Sequence, residues 1–321
     1  MTATYTPPSV TIVSQSHPLR STILAGLRST QKSLPATLFY DERGAALFEQ
    51  ICTLPEYYLT GTEKVLLREH AAALAALMGP RIALIELGSG AATKVRPLLA
   101  ALRDPVAYIP VDVAREQLMD VAAERAREFP GLTVMPVYAD YVTGVPLPTL
   151  PADARRVAFF PGSTIGNLLP HEASDFLRSL RELVGSSGGM VLGVDRRKET
   201  AVLHAAYNDA QGVTAEFNLN MLEHLNRECG ADFDLSAYRH HAFFNEAESR
   251  IEMHLVAVVS NTVRIFGDEI HVAEGETIRT EVSYKYDRAL LDRVTRDGGW
   301  TVTELFTDEQ DRFWVVWLRP A

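Results

Sequence analysis

Cysteine is almost absent. Cys52 and Cys229, one in each half of the 321-residue chain, are the whole complement, which excludes a disulfide framework and a cysteine-built zinc site. A reducing cytoplasm is the expected compartment. Positive charge is also short: 31 Lys and Arg stand against 41 Asp and Glu, a net charge of −10, so there is no electrostatic footprint for nucleic acid or an anionic membrane. No apolar run approaches the roughly 18 residues of a membrane span, and residues 1–16 hold no basic segment followed by an apolar one. Neither export nor a membrane is expected. Internal repeats, low-complexity segments, G-x-S-x-G elbows and Walker loops are missing as well, which leaves hydrolase and nucleotide-triphosphatase readings without support.

What is present describes a globular protein. Hydrophobic residues at 47% and charged residues at 22% are near the averages of soluble domains, and the length suits two domains or one elaborated domain. Helical spacing marks residues 21–28 and 64–78. Thr60 and Glu63 are spaced as a helix cap and its third helical residue. From residue 81 short apolar runs (81–87, 107–111, 132–137, 157–160, 190–194) alternate with helical stretches (114–129, 172–184), the pattern of a parallel sheet covered on both faces. Residues 201–229 read as two helices broken near Gly212. Residues 238–273 read as antiparallel strands with alternation over 250–259 and a turn at Gly267-Asp268. A helix over 287–297 and a hairpin of strands 300–306 and 312–318 close the chain.

The sharpest local signal is the first apolar run ending in Glu86-Leu87-Gly88-Ser89-Gly90, with Lys94 before the next helix. Glycine there lets the backbone turn tightly and approach a ligand at the carboxyl end of a parallel strand. Roughly twenty residues on, Asp112 ends the second run, where an acid can bind the two hydroxyls of a ribose. The third glycine of a dinucleotide fingerprint is replaced by Thr93, which favours S-adenosylmethionine, a ribose and adenine without phosphate, over NAD. Asp140, after the third run, can hold the adenine amino group with Tyr141 beside the ring. Glu86, Gly88, Ser89, Gly90, Lys94, Asp112, Asp140 and Tyr141 are therefore the expected cofactor residues.

After the fourth run comes Gly162-Ser163-Thr164-Ile165-Gly166-Asn167. Together with Glu86-Leu87-Gly88-Ser89-Gly90, Leu54-Pro55-Glu56-Tyr57-Tyr58 and Ala231-Asp232-Phe233, it resembles the histidine Nα-methyltransferases of ergothioneine biosynthesis, from about Lys32 to the C-terminus. The resemblance implies a class I, Rossmann-like methyltransferase domain (62–197 and 287–321) with an additional α+β substrate domain (8–61 and 198–286) and a flexible tail at 1–7. It implies trimethylation of the α-nitrogen of L-histidine to hercynine, with S-adenosylmethionine as donor, by a monomer. By the same resemblance Gly162, Asn167 and Tyr207 serve the amino acid's backbone end and Tyr40 lies near the amine. Tyr57, Met253, Glu281 and Ser283 surround the imidazole, and Tyr40 and Asn167 are the expected catalytic positions. A carboxylate at Glu281 with a hydroxyl at Ser283 or Tyr57 can satisfy the one donor and one acceptor of a neutral imidazole.

Three positions depart from the family pattern: Gly61 replaces an arginine, and Ala91-Ala92 replace more polar residues. The alternatives are a related enzyme for another amino acid such as tryptophan, as in homologous fungal enzymes, an NAD-dependent oxidoreductase, and a silent S-adenosylmethionine-binding regulator. Glu281 and Met253 speak against an indole, which wants a wider, uncharged pocket. His240 and His241 fall on opposite faces of a strand, and with His254 and His271 they match no ligand spacing, so no metal is expected.

Overall fold

The computed structural model describes Thr11–Ile12 and residues 19–321; the tail expected over 1–7 lies outside the described residues. In chain order the elements are β1 (Thr11–Ile12), α1 (Leu19–Arg28), β2 (Lys32–Ser33), α2 (Glu42–Ile51), α3 (Tyr58–Glu69), α4 (Ala71–Met78), β3 (Ile82–Leu87) and α5 (Arg96–Ala101). There follow β4 (Ala107–Asp112), α6 (Arg115–Glu128), β5 (Thr133–Val134), β6 (Val137–Tyr138), β7 (Arg155–Phe160), α7 (Pro170–Val184), β8 (Gly189–Asp195), α8 (Thr200–Tyr207) and α9 (Val213–Cys229). The last are β9 (Tyr238–Asn245), β10 (Arg250–Ala257), β11 (Asn261–Ile265), β12 (Asp268–Val272), β13 (Thr277–Tyr284), α10 (Arg288–Asp297), β14 (Trp300–Thr307) and β15 (Phe313–Pro320). Among the described residues no helix is long and apolar enough to cross a membrane.

The chain divides into two compact units: residues 62–196 and 286–321 with Thr11–Ile12, and residues 19–61 and 197–285. The first holds a sheet in the order β1-β6-β4-β3-β7-β8-β15-β14, with β5 beside β4. Its strands are parallel from β1 to β8, and β15 and β14 are antiparallel. Every residue of β3 is buried, as expected of a strand covered on both faces. Chain order reverses on either side of β3, which lies between β4 and β7, and a doubly wound sheet opens its ligand crevice at such a point. The fold is that of a Rossmann-like methyltransferase domain with an α+β unit inserted.

The second unit is a sheet of order β2-β13-β10-β9, with α2, α8 and α9 and the separate β11–β12 hairpin. Central β10 is buried along nearly its whole length, not half-exposed as its alternating pattern suggests. Met253 faces one side. On the other, Glu252 accepts from Asn245, Arg250 and His254, so polar side chains are buried because they satisfy one another.

Other expectations change for local reasons. Thr60 is no cap: α3 begins two residues earlier, and Asp41, Asp209 and Asp287 accept from the first turns of α2, α9 and α10 instead. The helix expected over 64–78 breaks at His70 into α3 and α4. The strand over 132–137 becomes β5 and β6, interrupted at Pro136, which has no N–H to donate. The β11–β12 turn is made by Phe266 and Gly267, both at positive φ (56° and 87°), one residue earlier than read. Thr11–Ile12, expected in the substrate domain, pairs with β6.

Two glycines test this packing in opposite directions. A Cβ on Gly189 would lie 2.1 Å from the Trp317 ring, so Gly189→Ala is expected to cost about 1–3 kcal/mol by overpacking. Gly61 in α3 has no atom within 4 Å of such a Cβ, and Gly61→Ala is expected to stabilise by about 1 kcal/mol. Urea unfolding midpoints check both.

Candidate active site

In the first unit the β3 strand ends in a tight turn. Gly88 and Gly90 have φ of +67° and +46°, and a Cβ on Gly88 would press on the Tyr141 ring at 3.3 Å. Asp112, closing β4, shapes the same loop: one carboxylate oxygen accepts from the Gly90 N–H at 2.9 Å and the other from the Ala114 N–H at 2.9 Å. Each oxygen keeps a lone pair for a hydroxyl. The Ser89 hydroxyl is buried with no hydrogen-bond partner among the described residues. An orphaned hydroxyl in a glycine turn, an acid at the end of the next strand and an aromatic ring against the turn suit an adenosyl cofactor. Asp140 follows β6, where its carboxylate accepts from the Val142 N–H and forms a turn. Tyr141 packs edge-on to Phe160.

Beneath the turn, Glu86 is 1% exposed and accepts from the Tyr108 hydroxyl. Burial pushes its carboxyl up to about 8, while the Tyr108 bond and Lys94 pull it down. Lys94 pairs with Glu63 at 2.7 Å. Glu63, with no exposed surface, takes the Gly162 N–H on both carboxylate oxygens at 2.9 Å. Gly162 has φ +82° and Ser163 φ +58°, and the Ser163 hydroxyl accepts from the Asp195 N–H at 2.8 Å. Asn167 ends the short 3-10 turn Thr164–Asn167 that follows.

In the second unit, register brings the other residues together. Met253 on β10 lies opposite Glu281 on β13, and Ile251 opposite Ser283, so Met253, Glu281 and Ser283 share one face. α8 brings Tyr207 over it, where its hydroxyl donates to Ser283 at 3.0 Å. Phe48, Tyr57, Tyr207, Phe217, Met253 and Glu281 line a cavity of about 20 Å³, room for one water. Edge-to-face contacts at 5.9–6.3 Å run from Tyr40 to Phe48 to Tyr57 to Tyr207. Tyr40 is 43% exposed. Desolvation holds the Tyr57 phenol well above its ordinary value. The Glu281 carboxyl is pushed up to about 7 by burial, with Lys285 pulling it down.

Four neighbours were not singled out in the sequence, Tyr108, Phe48, Phe217 and Lys285, and Glu63 only as the partner of a cap. Lys285 had a signal, since residues 281, 283 and 285 continue one alternation. Glu63 had one too, but its spacing from Thr60 reads equally as a cap. His240 sits between Asn218 and the Tyr207 carbonyl, and His254 between Glu252 and Thr277.

Glu63→Gln turns an amide toward either the Gly162 N–H or the Lys94 ammonium and removes the buried anion. We expect a loss of about 3 kcal/mol, read from the urea midpoint. Weaker calorimetric binding of S-adenosylhomocysteine should accompany it, because Lys94, which follows the glycine turn, and the Gly162 loop lose their shared anchor.

The chain was compared with known proteins. A sequence model of a family described as histidine-specific, SAM-dependent methyltransferases matches residues 19–320. A histidine N-alpha-methyltransferase of Mycolicibacterium smegmatis is 41% identical over 92% of both chains. Its counterpart in Mycobacterium tuberculosis is 39% identical, again over 92% of each. Ergothioneine biosynthesis protein 1 of Neurospora crassa is 30% identical over 84% of this chain and 31% of its own length. The glycine turn with its orphaned Ser89 fits the donor this family uses, and the chain belongs to the histidine-specific, SAM-dependent methyltransferases.

Proposed function

We propose that this protein trimethylates the α-amino group of L-histidine to give hercynine, the first step of ergothioneine biosynthesis. The observation that carries this is a carboxyl, Glu281, set among Tyr57, Tyr207, Phe48, Phe217 and Met253. An aromatic pocket with one acid on its wall suits a flat heteroaromatic ring bearing an N–H. Tyr57 donates to the second ring nitrogen while Glu281 accepts from the first. Such a site rejects rings that leave its polar groups unpaired. Met253 is the adaptable wall, able to shift as the ring enters.

When bound, S-adenosylmethionine supplies an electrophilic methyl on a sulfonium. Gly88, Ser89 and Gly90 would hold its amino-acid and ribose portions together with Lys94 and Asp112, and Asp140 and Tyr141 its adenine, over the buried Glu86. Gly162, Asn167 and Tyr207 orient the substrate's backbone end. Tyr40 stands near the amine, which gives up a proton before each transfer. Its ring face and those of Tyr57 and Phe48 tolerate the fixed cation that grows there. Orientation then contributes several kcal/mol of barrier reduction, about what positioned reactants gain, and no dedicated strong base is required. The compartment is the cytoplasm, supported by two cysteines present as thiols, and the working form is a monomer.

Mass spectrometry after incubation with S-adenosylmethionine and the twenty amino acids tests the reading. Trimethylated histidine as the sole product is expected; methylated tryptophan or cofactor binding without turnover would overturn it. A second expectation follows from Glu281. Its carboxyl near 7 becomes more ionised as pH rises from 6 to 8, and the ionised form accepts the ring N–H. Histidine affinity should therefore rise across that window. Glu281→Gln should weaken binding by about 10- to 100-fold and flatten the slope to that of the ligand's own titration, as calorimetry at pH 6 and 8 will report.

A further inference from the structure

His240 stands on β9, the strand at one end of the second unit's sheet. The outer edge of β9 is covered by α8: the Asn208 side-chain amide donates to the Ala242 carbonyl at 3.1 Å, and the Phe244 N–H donates to His204 Nε2 at 3.0 Å. His240 makes a further link across the same edge, with Nε2 2.9 Å from the Tyr207 carbonyl. Tyr207 is the last residue of α8, and a helix supplies no N–H of its own to the carbonyls of its last turn.

The other ring nitrogen sets the direction of that bond. His240 Nδ1 lies 2.9 Å from the side-chain nitrogen of Asn218, a residue of α9 with no exposed surface. The same nitrogen reaches the His254 backbone carbonyl on β10 at 3.0 Å, and the Asn218 oxygen accepts the Thr280 hydroxyl at 2.7 Å. A backbone carbonyl only accepts, so the amide presents its NH2 to His254 and turns its second N–H to His240 Nδ1. Nδ1 is therefore the acceptor, and Nε2 carries the proton that it donates to the Tyr207 carbonyl. Burial pulls the imidazole below its ordinary value, with the Tyr207 bond opposing, in keeping with a neutral ring. Through one amide and one imidazole, the β10 backbone fixes where α8 ends.

We propose that His240 is a positioning residue for the methyl transfer: its Nε2–H holds the Tyr207 carbonyl and so fixes the angle at which the Tyr207 side chain meets the substrate. The carbonyl and the ring belong to one residue, so any shift of this bond turns the phenol with it. His240 itself lies outside the cavity that Tyr207 lines. The proposal rests on reading Tyr207 as a substrate contact and adds the group that orients it.

A pair of substitutions separates the two bonds of the ring. His240→Asn keeps an acceptor for Asn218 and is too short to reach Tyr207, whereas His240→Gln extends an N–H to the Tyr207 carbonyl. In calorimetric titration of L-histidine into protein saturated with S-adenosylhomocysteine, His240→Asn should weaken binding about 10-fold and His240→Gln by less than about 3-fold. Affinity for S-adenosylhomocysteine should stay within about 2-fold in both, which a general loss of structure would not allow. In a Tyr207→Phe background the His240→Asn loss should shrink below about 2-fold, because the residues act as one unit. An undiminished loss in that background, equal losses for the Asn and Gln variants, or no loss at all overturns the proposal. If His240→Asn does not fold, NMR of the imidazole nitrogens in the wild type decides the matter: His240 should be neutral with its proton on Nε2, and a proton on Nδ1 overturns the proposal. Failure of the histidine reading would show separately, as methylation of a different amino acid, and that amino acid then replaces histidine in the titrations.

Discussion

One buried carboxylate governs the methyltransferase unit. Glu63 binds the Gly162 N–H with both oxygens and the Lys94 ammonium at 2.7 Å, so the loop after β7 and the segment after the glycine turn share a single anion. The buried charge is tolerable because two donors, the Gly162 N–H and the Lys94 ammonium, meet it. Its neighbours are shaped accordingly: a Cβ on Gly193 would fall 2.0 Å from a Glu63 oxygen, which leaves glycine as the residue that fits there. Two successive positive φ values, at Gly162 and Ser163, are held by Glu63 from one side and by the Asp195 N–H on the Ser163 hydroxyl from the other. For serine that conformation costs on the order of 1 kcal/mol, so the turn leading to Asn167 is imposed by its surroundings.

The second unit solves a different electrostatic problem. Its central sheet buries charge on both faces, and the two faces treat it differently. On one, Glu252 is surrounded by Asn245, Arg250 and His254, and those bonds hold its carboxyl at about 2 although burial opposes them. That face is closed. On the other, Glu281 has its carboxyl raised to about 7 by burial, with Lys285 opposing, and the lysine is engaged with two hydroxyls. The aromatic rings around Glu281 supply shape without adding competing polar groups.

Much of the architecture could be read from residue order because it depends on local pattern. The parallel strands are runs such as residues 82–87, apolar along their whole length, and the glycine turn with Asp112 follows from spacing. Pattern misled where a side chain served a distant partner. Glu63 has the spacing of a cap and is a buried anion bound to residues 94 and 162. β10 alternates like a half-exposed strand because its polar members neutralise each other inside.

The sequence alone thus settled the order of strands and helices, the position of the glycine turn and the family to which the chain belongs, all carried by neighbours along the chain. Tertiary structure decided which residues share a wall: Met253 opposite Glu281 by strand register, Tyr207 over Ser283 by the placement of α8, and Lys285 behind both. The reason is physical. Periodicity specifies which way a side chain points, but the charge a buried group carries depends on what the rest of the fold brings within hydrogen-bonding distance.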